Sequence, residues 1–136
     1  MITGVIVLLA VLAGASALGL AIKRRNGRLD RGTRDEALTE AELGRPLGGR
    51  ATLVQFSSAF CAPCRATRVV LADVARLVDG VEHVEIDAES RLDLVRRLDV
   101  RRTPTVLVLR PDGSIARRGS GQPRKADVLA ALGEVS

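Results

Sequence analysis

Two cysteines that lie three positions apart, Cys61 and Cys64, are the residues of this chain best suited to chemistry. They are the only cysteines among 136 residues, so no disulfide can join distant parts of the chain. A close Cys-x-x-Cys pair typically exchanges electrons with other thiols and disulfides, or it contributes two ligands to a metal ion. The residues around the pair favour electron exchange with thiols and disulfides.

The pair follows a predicted strand and opens a predicted helix. Residues 51–57 form a short apolar run typical of a strand, and residues 61–78 carry apolar side chains at helical spacing. Unpaired N–H groups and a partial positive charge at a helix N-terminus stabilise a thiolate. Cys61, at the exposed start of the helix, is therefore the predicted nucleophile. Cys64, one turn further in, is predicted to resolve the mixed disulfide.

A zinc site is the main alternative for this pair. Structural zinc takes about four ligands from cysteine, histidine or carboxylate side chains. The chain offers two cysteines and a single histidine, His83, so a closed site would need a second copy or carboxylates. We therefore predict no metal and no cofactor in the domain.

The chain after residue 51 alternates between strand and helix patterns. Further strands are predicted at 81–86, 105–109 and 115–119, helices at 90–98 and 124–132, and a turn at 111–114. Ser90 is the predicted cap of the helix that ends at Leu98. This β-α-β-α-β-β-α order predicts a mixed sheet with helices on its faces.

An apolar segment precedes this domain. Residues 2–22 carry no charge, and their 21 residues match the roughly 20 that cross a bilayer as a helix. A cleaved signal peptide is the alternative, but it needs positive charge before the apolar run, where only Met1 stands. Six basic residues follow instead, between positions 23 and 34. They predict a single-pass anchor with the rest of the chain in the cytoplasm, where dithiols are mostly reduced.

Residues 23–50 are polar and glycine-rich, and they are predicted to form a basic linker between the anchor and a domain at 51–136. One short helix is plausible there, since Thr39 and Glu42 have the spacing of a capping box. The linker holds 8 basic and 5 acidic residues, against 13 and 11 in the domain. With the excess charge largely in the linker and aromatic residues nearly absent, nucleic-acid binding is not expected.

Residues 51 to about 132 resemble a thioredoxin domain. The stretch TLVQFSSAFCAPCRATRVVLADVA resembles the active-site strand and helix of that family. The stretch VEIDAES…LVRRLDVRRTPTVLVLRPDG resembles the part that leads into and past its cis-proline. The resemblance implies an α/β fold with a thioredoxin-like mixed sheet flanked by helices, here preceded by one transmembrane helix. The full first strand of the family is not evident.

The resemblance also assigns residues to substrate binding. Pro104 falls at the position of the cis-proline, and the backbone of Thr103 would then pair with the substrate. Gly121 falls at the position of a glycine that lets the substrate approach. The plain alternatives are a trans proline that starts a strand and an ordinary loop glycine.

Four positions depart from the family pattern. Ala62 replaces the glycine of the usual CGPC motif, and Phe60 replaces a tryptophan. Gln55 replaces a buried aspartate thought to assist proton transfer at the second cysteine, and His83 replaces its lysine neighbour. Gln55 cannot ionise, whereas His83 could act as a base. Alternatively, the two side chains simply form a neutral hydrogen bond.

The expected reaction is dithiol–disulfide exchange that reduces disulfides of protein substrates, with electrons from an unidentified donor. Two other functions remain open. One is a membrane-tethered binding module that keeps the fold but has little turnover, which the loss of the aspartate at position 55 favours. The other is an electron donor to an exported-thiol pathway.

Overall fold

A five-stranded mixed sheet organises the domain. The computed structural model describes residues 1–135, and Ser136, the last residue of the predicted domain, lies outside the described residues. The elements are α1 (Ile2–Arg25), β1 (Asp30–Arg31), α2 (Glu40–Leu43), β2 (Ala51–Ser57), α3 (Ala62–Leu77), β3 (Val81–Asp87), α4 (Leu92–Arg97), β4 (Thr105–Leu109), β5 (Ile115–Ser120) and α5 (Lys125–Val135). The predicted order of elements from residue 51 onwards is confirmed.

The strands lie in the order β1-β5-β4-β2-β3. β2 and β3 are parallel, and the remaining neighbours are antiparallel. Every residue of the central strands β2 and β4 is buried, which explains their continuous apolar sequences. The two edges are β1, with two residues, and β3, where buried and more exposed positions broadly alternate.

Helices cover both faces of the sheet. On one face, α3 and α5 pack against the side chains of alternate strand residues, including Leu53, Val106 and Val108. The opposite face, with Val54 and Phe56, packs against α4 and the segment around α2. The core is almost entirely aliphatic, as the scarcity of aromatic residues requires.

The segment predicted as a linker, residues 23–50, differs from its prediction. From residue 26 onwards, much of it packs against the domain: β1 pairs with β5, and Leu38 is only 1% exposed in the core. The predicted capping box between Thr39 and Glu42 is present and begins α2, which buries Leu43. A few apolar side chains in a polar segment suffice to bind it to the sheet. The packed structure therefore begins well before the predicted boundary at residue 51.

The predicted start of α4 also differs. Ser90 does not cap this helix, because its hydroxyl donates to the Asp87 carboxylate at 2.8 Å and closes the turn after β3. The helix begins at Leu92, after Arg91, without a side-chain cap.

The apolar helix α1 stands apart from this packing. It runs for 24 residues, so it is about 36 Å long, enough for a hydrocarbon core of about 30 Å. None of its residues is buried. By length and composition it qualifies as a membrane span, and a signal sequence shares both properties.

Candidate active site

Cys61 and Cys64 form a disulfide at the start of α3. Cys61 is the N-cap residue, and its sulfur accepts a hydrogen bond from the Cys64 N–H at 3.2 Å. Cys61 is partly exposed, whereas Cys64 is 2% exposed. One sulfur is therefore open to a partner molecule and the other is shielded, which is the asymmetry that sequential attack and resolution require.

The turn before the pair presents an aromatic side chain. Phe60 has a backbone φ of 58°, in the left-handed region, and its side chain is fully exposed. A non-glycine residue in this conformation costs roughly 1–2 kcal/mol. The turn thus leaves Phe60 in solvent beside Cys61.

The loop before β4 adjoins this turn. The Thr103–Pro104 peptide bond is cis, as the resemblance implied. The hydroxyl of Thr103 is 2.7 Å from that of Ser58, and the Gly121 N–H donates to the Pro104 carbonyl at 2.8 Å. The structure therefore brings Thr103, Pro104 and Gly121 together, next to the loop that carries the cysteine pair. Their roles in substrate binding stay predictions.

Gly121 faces another part of the same chain. Its φ of 88° favours glycine, and an added Cβ would lie 2.0 Å from Oδ1 of Asn26 and 3.0 Å from the Gly27 nitrogen. Sequence reasoning missed these two residues, which follow α1 directly. The Asn-Gly dipeptide is a recognised turn signal, but only the fold shows where that turn lies.

Gln55 lies in the core below the cysteine pair. Its side chain is fully buried, and its Nε2 donates to the Cys64 carbonyl at 2.7 Å and to the Ser57 hydroxyl at 2.9 Å. Because a carbonyl can only accept, this contact fixes the orientation of the amide. Oε1 then faces Nε2 of His83 at 3.2 Å. Gln55 and His83 are therefore neighbours, as the resemblance implied, and they lie below the start of α3.

This arrangement defines the protonation of His83. Oε1 of Gln55 is an acceptor, so Nε2 of His83 carries a proton and donates. Burial lowers the pKa of His83 from its ordinary value. Glu85 opposes this effect, and the positive charges of Arg45 and Arg68 reinforce it. His83 is therefore neutral near pH 7, and hydrogen bonds link it to the Cys64 carbonyl through the amide of Gln55.

An ion pair covers the outer side of this cluster. Arg68, on α3, donates from Nε and Nη2 to the two carboxylate oxygens of Glu85, on β3, at 2.6 and 2.8 Å. The two-point geometry holds the first turns of α3 against the edge strand. Within residues 1–135, no group of three or more histidine, cysteine, aspartate or glutamate side chains is placed to hold a metal ion.

A mixed sheet that carries Cys-x-x-Cys at a helix start, beside a cis-proline, defines the class of thioredoxin-fold redox proteins. A family model for thioredoxin matches residues 38–134, which is more than half of the chain. The chain therefore belongs to the thioredoxin family.

Individual relatives agree with this assignment. Thioredoxin H4-1 of Oryza sativa subsp. japonica is 28% identical over 87 residues, which cover 63% of this chain and 66% of the relative. Thioredoxin H5 of the same plant is 27% identical over 73 residues, or 54% of each chain. The chain thus spans about half to two thirds of these relatives. A crystal structure of chloroplastic thioredoxin z is 25% identical with a TM-score of 0.57, over 64% of this chain and 79% of that one.

Proposed function

We propose that this protein is a membrane-anchored thiol–disulfide oxidoreductase that reduces disulfides of protein substrates. The observation that carries the proposal is the unequal exposure of the pair. Cys61 is accessible at the N-cap of α3, and Cys64 is buried one turn behind it. Membership of the thioredoxin family supports the same chemistry.

The reaction begins from the reduced pair. The Cys61 thiolate attacks one sulfur of the substrate disulfide, forming a mixed disulfide and releasing the first substrate thiolate. The Cys64 thiolate then attacks the Cys61 sulfur, forming the Cys61–Cys64 disulfide and releasing the second substrate thiolate. Two electrons pass to the substrate, and both substrate thiolates take up protons. A dithiol donor must then reduce the pair again.

The residues around the pair have separate tasks in this proposal. The N–H groups at the start of α3 stabilise the Cys61 thiolate. The cis-proline loop presents the backbone of Thr103 for pairing with the substrate, and Gly121 supports that loop through the Pro104 carbonyl. Neither Gln55 nor His83 is a base in this scheme, because Gln55 cannot ionise and His83 faces Gln55.

The anchor and its orientation belong to the proposal as well. They are supported by the length and full exposure of α1 and by the basic residues that end it, Lys23, Arg24 and Arg25. Positive flanks are retained in the cytoplasm, so the domain would work on the reducing side of the membrane.

Substitution of each cysteine tests the proposed roles. With a small dithiol as donor, Cys61→Ser should abolish the reduction of insulin disulfides. Cys64→Ser, reduced beforehand and freed of the dithiol, should accumulate a mixed disulfide with the substrate, visible by mass spectrometry. Alkylation of the reduced protein with limiting reagent should label Cys61 first. Preferential labelling of Cys64 would reverse the assignment.

A second candidate function rests on Gln55. This residue offers no ionisable group next to Cys64, so resolution could be slow enough that the domain mainly binds its partners. The insulin assay separates the two functions. A tethered binding module would show single-turnover exchange but negligible steady-state turnover at dithiol concentrations too low to cleave the mixed disulfide directly.

A further inference from the structure

The apolar helix and the redox domain are joined without a free spacer. α1 ends at Arg25, and the next residue, Asn26, still donates its N–H to the Ile22 carbonyl at 3.0 Å. The Gly27 N–H then donates to the Ser120 carbonyl of β5. Three residues further on, Asp30 begins the two-residue strand β1, and Asp30 and Arg31 pair with β5. The chain is thus bound to the domain from the first residues after the helix.

The point of attachment lies at the redox end of the sheet. β5 and β2 are each antiparallel to β4, so they run in the same direction. β2 leads into the cysteine pair, so β5, which finishes at Ser120, ends on the same side of the sheet as that pair. Asn26 adjoins Gly121 there, and Gly121 in turn holds the Pro104 carbonyl. The helix consequently leaves the domain beside the loops that surround the disulfide.

The surface around this exit is strongly basic. One shallow cavity is lined by five arginines and a single acidic residue: Arg25, Arg28, Arg31, Arg102, Arg118 and Asp30. Arg102, which immediately precedes the Thr103–Pro104 loop, donates to Oδ1 of Asn26. A positive surface of this kind attracts the anionic headgroups of a bilayer. The charge would draw the redox end of the domain towards the membrane.

We propose that residues 26–31 form a fixed mount that holds the redox face at the membrane surface. The substrates would be disulfides of other membrane-anchored proteins, located close to their own membrane segments. This inference rests on the proposed anchor and on the proposed reductase, and the exchange step is the one written above. A disulfide near the bilayer meets Cys61 at a fixed height, whereas a bulky soluble protein is hindered by the membrane.

Lengthening the connection tests this mount. The full chain, reduced with a small dithiol and freed of it, is reconstituted in vesicles with a transmembrane peptide whose disulfide directly follows its membrane segment. A Gly-Ser insert of about 20 residues after Arg25 adds a flexible tether with a root-mean-square span of about 25 Å. It should slow reduction of this peptide roughly tenfold, because the effective concentration of Cys61 at the membrane falls. Reduction of soluble insulin should become faster.

A substitution provides the same test without a change in chain length. A Cβ on Gly119 would lie 2.2 Å from the Arg28 carbonyl oxygen, so Gly119→Ala should release the mount and mimic the insert. Gly49→Ala is the matched control, because a Cβ there meets nothing within 4 Å. It should behave as the native chain does.

Reduction of a small soluble disulfide separates the outcomes. Its rate should be equal in all four proteins, which shows that the domain is folded and active. If that rate is equal but the insert and Gly119→Ala leave the membrane peptide unaffected, the mount is refuted while the reductase stands. If the native chain reduces no disulfide at all, the proposed reductase fails and the inference fails with it.

Discussion

Gln55 shows how one side chain can replace an ionisable group without leaving a buried polar atom unpaired. Both amide hydrogens and the amide oxygen have partners, at Cys64, Ser57 and His83. A carboxylate at this position could accept a proton but could not donate to the Cys64 carbonyl. The amide of Gln55 therefore serves as a brace, meaning that it holds the backbone of Cys64 in place, where a carboxylate would instead accept a proton. His83 supports this brace by donating a hydrogen bond to the amide oxygen.

Substitution of His83 distinguishes a brace from a base. His83→Leu leaves Oε1 of Gln55 unpaired and should lower the free energy of unfolding by about 1–3 kcal/mol. His83→Gln restores a donor and should recover part of this loss. The rate of small-disulfide reduction from pH 5 to 9 should give the same profile for all three proteins. A limb of the profile that is present only in the native chain would identify His83 as a base.

The stability contributed by His83 should depend on pH. Its folded pKa is lowered by burial, so the unfolded state binds the proton more readily. The contribution is therefore complete above the unfolded pKa of about 6.5 and is lost as the pH falls through the lower folded value. Urea unfolding of the native chain and of His83→Gln at pH 8 and pH 5 should show the difference between them shrinking at the lower pH. A difference that widens on acidification would contradict this assignment.

The residues of the site differ in how far sequence predicts them. The positions of the two cysteines follow from their spacing and from the strand that precedes them. The proximity of Gln55 and His83 is expected from the family resemblance, whereas the register of β2 and β3, with Leu53 opposite His83, comes from the structure. Asn26 lies 95 positions from Gly121 in the chain, and no local pattern reports a contact over that separation.

At the scale of elements, the short helix α2 depends on one carboxylate. Glu42 accepts from the Thr39 N–H in the capping box and also binds Arg97 of α4. The hydrogen bond from Arg97 is the main reason that the pKa of Glu42 is lowered to about 2. Since its neighbours Leu38 and Leu43 lie in the core, this residue ties the start of the domain to α4.

Glu42→Gln should therefore destabilise the domain in a pH-dependent way. Because the folded pKa is depressed, the stabilisation is complete above the unfolded value of 4.5 and is lost as the pH falls towards 2. As a solvent-accessible pair it should contribute about 1 kcal/mol at pH 7. Urea unfolding in detergent micelles measures the difference, with Asp79→Asn, in the exposed turn after α3, as the control. Equal losses at pH 7 and pH 3 would show that the charge is not responsible.

The elements themselves illustrate where sequence patterns are informative. β2 and β4 match their predicted bounds. In a chain whose strand and helix patterns alternate, a mostly apolar run of five to seven residues is best explained as a buried strand. The segment before β2 is predicted as a linker because it is polar, charged and glycine-rich, and its four leucines, Leu29, Leu38, Leu43 and Leu47, are widely spaced. β1 has two charged residues and becomes a strand solely by pairing with β5, which no periodicity could indicate.

At the scale of the whole molecule, the charge beside α1 determines the expected orientation. A compartment-sensitive reporter fused after the last residue should be active only in the cytoplasm. Replacing Lys23, Arg24 and Arg25 with serine, and adding lysines before Ile2, should reverse the orientation. Activity of the native fusion only outside the cytoplasm would refute the prediction. A mature protein that lacks α1 by mass would identify the segment as a cleaved signal.

The two edge strands of the sheet bear on whether copies of this protein would aggregate when anchored together in one membrane. Copies held in one bilayer by the proposed anchor would stand at the same height and share the same upright axis, so their sheet edges would meet side by side. Unpaired edge strands are templates for intermolecular β-sheet, and short or charged edges prevent it. Here one edge is the two-residue strand Asp30–Arg31, and the other exposes Glu82, Glu85 and Asp87. With the anchor proposed above, such edges would oppose the joining of sheets between neighbouring copies in one membrane.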